Sequence, residues 1–311
     1  MQTGHKSQSL HFSFEWLLLF VVLICAWFVL VFFNFFILVL VCYNFVRKVV
    51  IDVNNVTKLQ NLIDEAKNIV FFGGAGVSTA SGIKDFRGKN GLYNKNELID
   101  GMPPEYMLSS ALFYSKPDVF YEYYKENMNC TEAKPNIVHK YLANLEKCGK
   151  LSAVVTQNID GLHQKAGSKN VLEIHGTTYK NHCTECGKEY SANYVFNSIG
   201  VPKCSCGGII KPDVVLYGEM LPEAFETATR YIYLADLLIV AGTSLTVEPA
   251  ASLVRIFGGE NLVIINDAPT PYDDVASLVI HDNMVNVFEK LNENIKRDWD
   301  LQWKRFNLFI L

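Results

Sequence analysis

The sequence predicts an α/β fold: a parallel sheet covered by helices on both faces, joined to a smaller helical unit that carries a cluster of cysteines. Three observations lead there. From about residue 53 onward, short apolar segments alternate with amphipathic ones, the rhythm of a parallel sheet with crossover helices. A glycine-rich turn directly follows the first apolar segment, and four of the eight cysteines fall between Cys183 and Cys206.

The segment before this pattern, residues 1–52, reads as a hydrophobic extension. Its 27 residues from Leu17 to Tyr43 carry no charge. As a helix they would reach roughly 40 Å, enough to cross a ~30 Å hydrocarbon core with tilt, so 17–43 is expected as a transmembrane helix. A signal peptide fits less well, because its apolar stretch should be about 7–15 residues long and end in a small-residue cleavage site. Arg47 and Lys48 follow the span, whereas Lys6 before it is opposed by Glu15. That bias places the remainder of the chain, 53–311, in the cytoplasm. The same stretch also reads as translated upstream sequence, with the working protein beginning near Val53.

Val53 to Lys67 reads as an amphipathic helix, with Val56, Leu59, Leu62, Ile63 and Ala66 at three- and four-residue steps. Asn68–Phe72 follows as a buried strand and runs into Gly73-Gly-Ala-Gly-Val-Ser-Thr-Ala-Ser-Gly82. Further strands are expected at Leu151–Thr156, Val171–Ile174, Leu237–Ala241 and Leu262–Asn266. Helices are expected at Ile137–Cys148, Pro222–Ala235, Pro249–Phe257 and Val285–Lys296. Two regions interrupt the alternation: an aromatic-rich helical stretch, Asp85–Thr131, and a cysteine-bearing insert at about 179–212. Lys plus Arg number 28 against 32 Asp plus Glu, a net charge of −4. Without a basic excess, nucleic acid is not expected as a partner.

The insert carries Cys183-Thr-Glu-Cys186 and Cys204-Ser-Cys206. Two thiolate pairs at this spacing are the donor set of a tetrahedral structural zinc site, with Cys183, Cys186, Cys204 and Cys206 as ligands. An insert this small buries too little to fold alone, so metal binding would supply its folding free energy. Two disulfides are the alternative, and His182 is a neighbour that could substitute as a ligand. The zinc is expected to have no chemical role. Cys25, Cys42, Cys130 and Cys148 are expected as ordinary buried residues.

Four polar constellations carry the chemistry. A glycine turn between strand and helix lets backbone N–H groups approach a phosphate, and Gly74-Ala-Gly76 supplies one. The sixth position of a G-x-G-x-x-G is Thr79, however, and no acidic residue ends a second strand about 20 positions on, so the usual dehydrogenase fingerprint fails. Thr156-Gln-Asn-Ile-Asp-Gly-Leu-His163 and Glu173-Ile-His-Gly176 both follow apolar strands. Their side chains should emerge at the carboxyl edge of the sheet, where α/β proteins bind ligands. His175, between a strand end and a glycine, is the candidate general base. Ala241-Gly-Thr-Ser-Leu245 and Ile265-Asn-Asp267 complete the set, the latter suited to holding a ribose hydroxyl.

Together these residues resemble the sirtuins, the NAD-dependent protein deacylases. G-A-G-x-S with S-G-I-x-D-F-R, then T-Q-N-I-D-x-L-H, H-G, the paired cysteines, K-P-x-V-V-x-x-G-E and G-T-S-L occur in family order. The resemblance runs from about Val53 to the carboxyl terminus, and is greatest to bacterial members that also carry C-x-C-G-G. It implies a Rossmann-like domain and a smaller zinc domain with NAD extended between them. Ala75 and Thr79 would contact the pyrophosphate side, and Phe86 and Arg87 would belong to a loop shielding the nicotinamide end from water. Gln157, Ile159 and Asp160 would line the pocket for the nicotinamide ribose and carboxamide, with Asn158 orienting that ribose or a nearby water. His175 would accept the proton. Thr243, Ser244 and Asn266 would hold the adenosine half, with a backbone contact from Met284.

The implied reaction begins with attack of an acyl-lysine carbonyl oxygen on the ribose C1′ as nicotinamide leaves. It ends with free lysine and O-acetyl-ADP-ribose. Acetylated protein substrates would enter as an extended strand, pairing near Val214–Gly218 and with the loop from Gly242 to Val247. Members favouring succinyl or malonyl groups carry a Tyr-x-x-Arg pair; here the stretch is Tyr121-Glu-Tyr-Tyr124, and Tyr124 stands where the Arg would be. The resemblance therefore implies a deacetylase. Lys84 departs from the family, which usually has Pro there; losing that ring should loosen the cofactor loop. A mono-ADP-ribosyltransferase using the same pocket shares the first half-reaction and is the alternative function. A non-catalytic adaptor would have eroded Asn158, Asp160 or His175, and all three are present.

Overall fold

The computed structural model describes residues 54–88, 91–93 and 101–293. Helix α1 (54–65) leads into strand β1 (Ile69–Gly73), which is buried at every position. Side chains alternate across a strand, and β1 uses both faces. Ile69 and Phe71 enter one apolar cluster with Leu59, Tyr141 and Phe288, while Val70 and Phe72 enter a second with Ala228, Ile232 and Leu253. A strand covered on both faces has no polar positions to alternate with, which is why this one is written as an unbroken apolar run.

β2 (Leu151–Thr156), β3 (Val171–Glu173), β7 (Leu237–Ala241), β8 (Asn261–Ile265) and β9 (Leu278–Ile280) join β1 in a six-stranded parallel sheet of order β3-β2-β1-β7-β8-β9. β1 is flanked by β2 on one side and β7 on the other, so the chain winds outward from it in both directions. A crevice opens at the carboxyl end of such a switch point. Helix α4 (Ile137–Lys147) covers one face. Its start is fixed by Asn136, whose side chain accepts from Val138 N while His139 Nδ1 accepts from Asn136 N. Helix α7 (Glu223–Leu234) covers the other face. The helix expected over Pro249–Phe257 is instead a 3-10 turn, Ala250–Ser252, continuing into the short α8 (Leu253–Ile256). There Ser252 Oγ bonds back to the Pro249 carbonyl at 2.6 Å, a local pairing that competes with the helical ladder. A last helix, α9, runs over 284–293.

The smaller unit is assembled from two excursions. One carries α2 (Ser110–Ser115) and α3 (Pro117–Met128). The other carries β4 (Gly176–Cys183), β5 (Glu189–Ser191), α6 (Ala192–Asn197) and β6 (Ile210–Val214), its strands forming an antiparallel sheet of order β5-β4-β6. A third apolar cluster binds the two excursions. Phe113, Phe120, Tyr121 and Tyr124 of α2 and α3 pack with Cys183, Val195, Cys204 and Ile210.

Two expectations are corrected here. No helix among the described residues is long and apolar enough to cross a membrane; α3 and α7 have twelve residues each, about 18 Å against a ~30 Å hydrocarbon core. The expectation of a transmembrane helix is therefore withdrawn; the stretch that raised it, 17–43, lies outside the described residues, as do Cys25 and Cys42. Cys148 is exposed rather than buried, because it caps the carboxyl end of α4, where the apolar face has ended. Cys130 is buried, as expected.

Candidate functional site

The carboxyl ends of β1 and β7 interlock. Gly74 N donates to the Ala241 carbonyl at 3.1 Å and Gly76 N to the Gly242 carbonyl at 2.8 Å. A Cβ at Gly74 would lie 2.6 Å from Thr243 Cβ, and one at Gly76 would lie 2.7 Å from Gly242 Cα. Only glycine permits this approach. The loop so held, a 3-10 turn over Ala75–Ser81, forms one wall of a cavity of about 1390 Å³. Ala75, Thr79, Phe86, Arg87, Gln157, Asn158, Ile159, Asp160, His175, Thr243, Ser244, Asn266 and Met284 all line it. The four sheet-edge segments and the glycine loop, up to about 190 residues apart in sequence, thus converge on one space, as their positions after apolar strands require.

A buried polar chain organises its floor. Asn158 Nδ2 donates to Ser78 Oγ (3.0 Å), and the Ser78 hydroxyl donates to Asp160 Oδ2 (2.6 Å). Leu162 N donates to the other Asp160 oxygen at 2.9 Å. Burial raises the Asp160 pKa, and the bonds from Ser78 and Leu162 oppose that rise. Ser78, 1% exposed, is a site residue that sequence reasoning passed over. The signal available was its place in G-A-G-x-S, a polar residue beside the apolar Val77. Gln157 Nε2 bonds Thr243 Oγ1 at 3.0 Å, tying the end of β2 to that of β7.

His175 stands 3.1 Å from the Gln157 carbonyl through Nδ1. A carbonyl can only accept, so Nδ1 carries the hydrogen and Nε2 keeps its lone pair. Burial lowers the His175 pKa, partly offset by this bond. The ring is therefore neutral and in a single tautomer near pH 7, the state a general base requires. His163 behaves otherwise. It lies in α5 (Leu162–Ala166), buried against His139 and Phe71, and belongs to the core. Arg87 lies 3.7 Å from Glu105 and over the Tyr93 ring. Asn266 turns its amide to the Ala268 carbonyl at 2.7 Å. Met284 packs its side chain against Gly242.

The four cysteines form a separate centre. The Sγ atoms of Cys183, Cys186, Cys204 and Cys206 all lie within 4.8 Å of one another. Cys183–Cys206 is 3.4 Å, Cys186–Cys204 is 3.6 Å and Cys186–Cys206 is 3.5 Å. Disulfides require about 2.05 Å, so these are free thiols. A tetrahedron with ~2.3 Å zinc–sulfur bonds has edges of roughly 3.8 Å, and the cluster is near that size. The residues present fit zinc. His182 is not part of the cluster; its Nδ1 is paired with Asp213.

Residues 74–249 match the model of the Sir2 family. The chain belongs to the Sir2 family. A Sir2 relative from Clostridium acetobutylicum, named NAD-dependent protein deacetylase, is 51% identical over 240 residues, covering 76% of this chain and 97% of that protein. A relative of the same name from Clostridium tetani is 50% identical over the same shares. Among solved structures, a Sir2 complex with a deacetylated p53 peptide and 3′-O-acetyl-ADP-ribose superposes with a TM-score of 0.71 at 40% identity, covering 76% of this chain and 97% of that one. A Sir2 complex with a p53 peptide and NAD+ gives 0.68 at 40% identity over the same shares. Like the described residues, the Sir2 match leaves 17–43 outside it.

Proposed function

We propose that this chain is an NAD-dependent protein lysine deacetylase in which His175 is the proton acceptor. The observation that carries the proposal is the His175 ring, fixed by the Gln157 carbonyl with its basic nitrogen unencumbered, at a cavity built from the glycine loop and the Asn158–Ser78–Asp160 chain. The relatives' printed names and the ligands of the Sir2 complexes support it.

The residues present fit NAD. The glycine loop is held close enough to the β7 edge to leave a trough for a pyrophosphate, with Ala75 and Thr79 on its rim, and Thr243, Ser244, Asn266 and Met284 continue the wall for the adenosine half. Gln157, Asn158, Ile159 and Asp160 line the nicotinamide end, and Phe86 and Arg87 border it. When bound, NAD supplies a ribose carbon open to attack by the acetyl oxygen, a nicotinamide leaving group, and hydroxyls that receive the acetyl group. His175 takes up the proton released from a ribose hydroxyl through Nε2. Its low basicity keeps it neutral beforehand, and the buried floor excludes the water that would divert the reaction. Zinc in the four-cysteine centre would hold β4, β5 and β6 together and take no part in the chemistry.

The substrate enters as an extended strand beside Val214–Gly218. Tyr124 lines the cavity, stacked between Phe120 and Phe196 at 5.5 Å from each. Among the described residues the lysine and arginine side chains lining the cavity are Lys84 and Arg87, and Lys125, beside Tyr124, is turned to Ser198 and Gly200. Among the described residues no cation stands at Tyr124 to meet an acyl carboxylate, so acetyl is favoured over succinyl. The test incubates the zinc-loaded chain with acetyl-lysine and succinyl-lysine peptides, with and without NAD, and reads products by mass spectrometry. NAD-dependent deacetylation with O-acetyl-ADP-ribose formed, abolished in His175→Ala, is expected. ADP-ribose attached to protein instead would establish the transferase alternative.

A further inference from the structure

Lys211 is 8% exposed, an unusual place for an ammonium group. It lies in β6, one residue beyond the partner of Cys183, and is not among the residues lining the cavity. Its Nζ donates to the carbonyls of Pro212 (3.2 Å) and Val214 (3.3 Å) and to Glu219 Oε2 (3.1 Å), filling all three donor positions. The same Glu219 oxygen accepts from Leu216 N at 2.9 Å, and Glu219 N donates to the Leu216 carbonyl at 2.9 Å. The remaining residues of this segment are tied elsewhere. Val215 N donates to the carbonyl of His175 (2.9 Å), Tyr217 N to that of Leu108 (3.0 Å), and the Tyr217 carbonyl accepts from Ser110 N (3.0 Å).

We propose that the Lys211–Glu219 ion pair is a positioning clamp for the acyl-peptide, holding Val214–Gly218 in the register that presents an acyl-lysine to His175. This rests on the reading of that segment as the substrate-pairing edge. An added strand gains affinity from main-chain pairing, and an edge already fixed in its bound shape loses less entropy when the peptide arrives. Stability alone does not account for the pair, since apolar residues of similar volume serve a buried site at least as well. What the pair does is join the end of β6, held through the Pro212 and Val214 carbonyls, to the turn that follows it, held through Leu216 N. That strand begins beside the cysteine centre. Lys211, outside the cavity, and Glu219, at its lining, are thus positioning residues, acting on substrate through the backbone of Val214–Gly218.

The test uses the full zinc-loaded chain with Lys211→Met, Glu219→Gln and Lys211→Arg. Binding of a fluorescein-labelled acetyl-lysine peptide is followed by anisotropy, and KM is measured separately for peptide and for NAD. Lys211→Met and Glu219→Gln should weaken peptide binding and raise the peptide KM about tenfold, the scale of one lost charge-assisted contact. The KM for NAD should stay within about twofold, and Lys211→Arg should recover most of the loss. Because Lys211→Met leaves a carboxylate unpaired and can fail to fold, Glu219→Gln, nearly isosteric, carries the decision. Unchanged peptide affinity in folded Glu219→Gln, or equal rises in both KM values, overturns the clamp. Wild type that binds the peptide without consuming NAD removes the deacetylase reading alone, and the anisotropy series still decides the clamp. Wild type that binds no peptide removes both.

Discussion

Replacing His163 by leucine deletes a buried imidazole whose two nitrogens have no hydrogen-bond partner among the described residues. Burial, with a smaller push from His139 at 4.7 Å between ring centroids, holds the His163 pKa down to about 3; burial holds His139 down to about 4. In the unfolded chain both titrate near ~6.5. The unfolded state therefore binds more protons throughout the interval between, and stability is fully present above about pH 7 and lost as the pH falls towards the folded values. Integrated from pH 7 to pH 5, each ring costs about 2 kcal/mol, so the pair costs wild type about 4 kcal/mol. His163→Leu should lose about 2 kcal/mol less than wild type over the same two units. The other titrating groups, His175 among them, are common to both proteins and cancel. Urea midpoints at pH 7 and pH 5 measure this directly, provided the m-values agree. Equal acid losses in the two proteins would refute the assignment of His163 as a neutral core residue.

Two further outcomes follow from the same structure. Stripping the metal from the four-cysteine centre with a chelator should unfold β4, β5 and β6 and loosen the Tyr121–Tyr124 core packed on them, seen as loss of near-ultraviolet circular dichroism with a corresponding loss of peptide binding. Ser78→Ala should cost about 1.5–3 kcal/mol through the lost bond to the Asp160 carboxylate, roughly 3–12 °C in melting temperature for a domain of this size. The bond from Ser78 opposes the rise that burial imposes on the Asp160 pKa, so the penalty is greatest where Asp160 is ionised. Calorimetry should find the deficit shrinking as acid protonates it.

The strands were legible because burial on both faces leaves them as unbroken apolar runs; β2 and β7 fall on the expected residues, and β1 lies one residue further along. β9 was not, since Leu278–Ile280 is too short to establish a period. The cavity residues followed from their position just after strands, where a parallel sheet must present them. Ser78 and Lys211 were missed as working residues for different reasons. The partners of Ser78, Asn158 and Asp160, lie 80 and 82 residues away. The partner of Lys211, Glu219, is local and in the same motif, but nothing in an alternating sequence says that the ammonium group is buried. The membrane expectation was drawn from hydropathy alone.

The bridge between Gly176 and Val214 has a consequence for how such chains diversify. The residues between these two positions form the three-stranded sheet and its cysteine loops, and the chain enters and leaves that unit side by side at this pairing, outside the six-stranded sheet. Lengthening or exchanging the enclosed stretch adds a closure entropy that grows slowly with loop size, and it disturbs no strand of the six-stranded sheet. The cysteine-bearing excursion is in this sense a replaceable cartridge. Its loops can be rewritten to suit new partners while Lys211 is kept and the segment from Val214 onward keeps its place beside His175, whose carbonyl accepts from Val215 N.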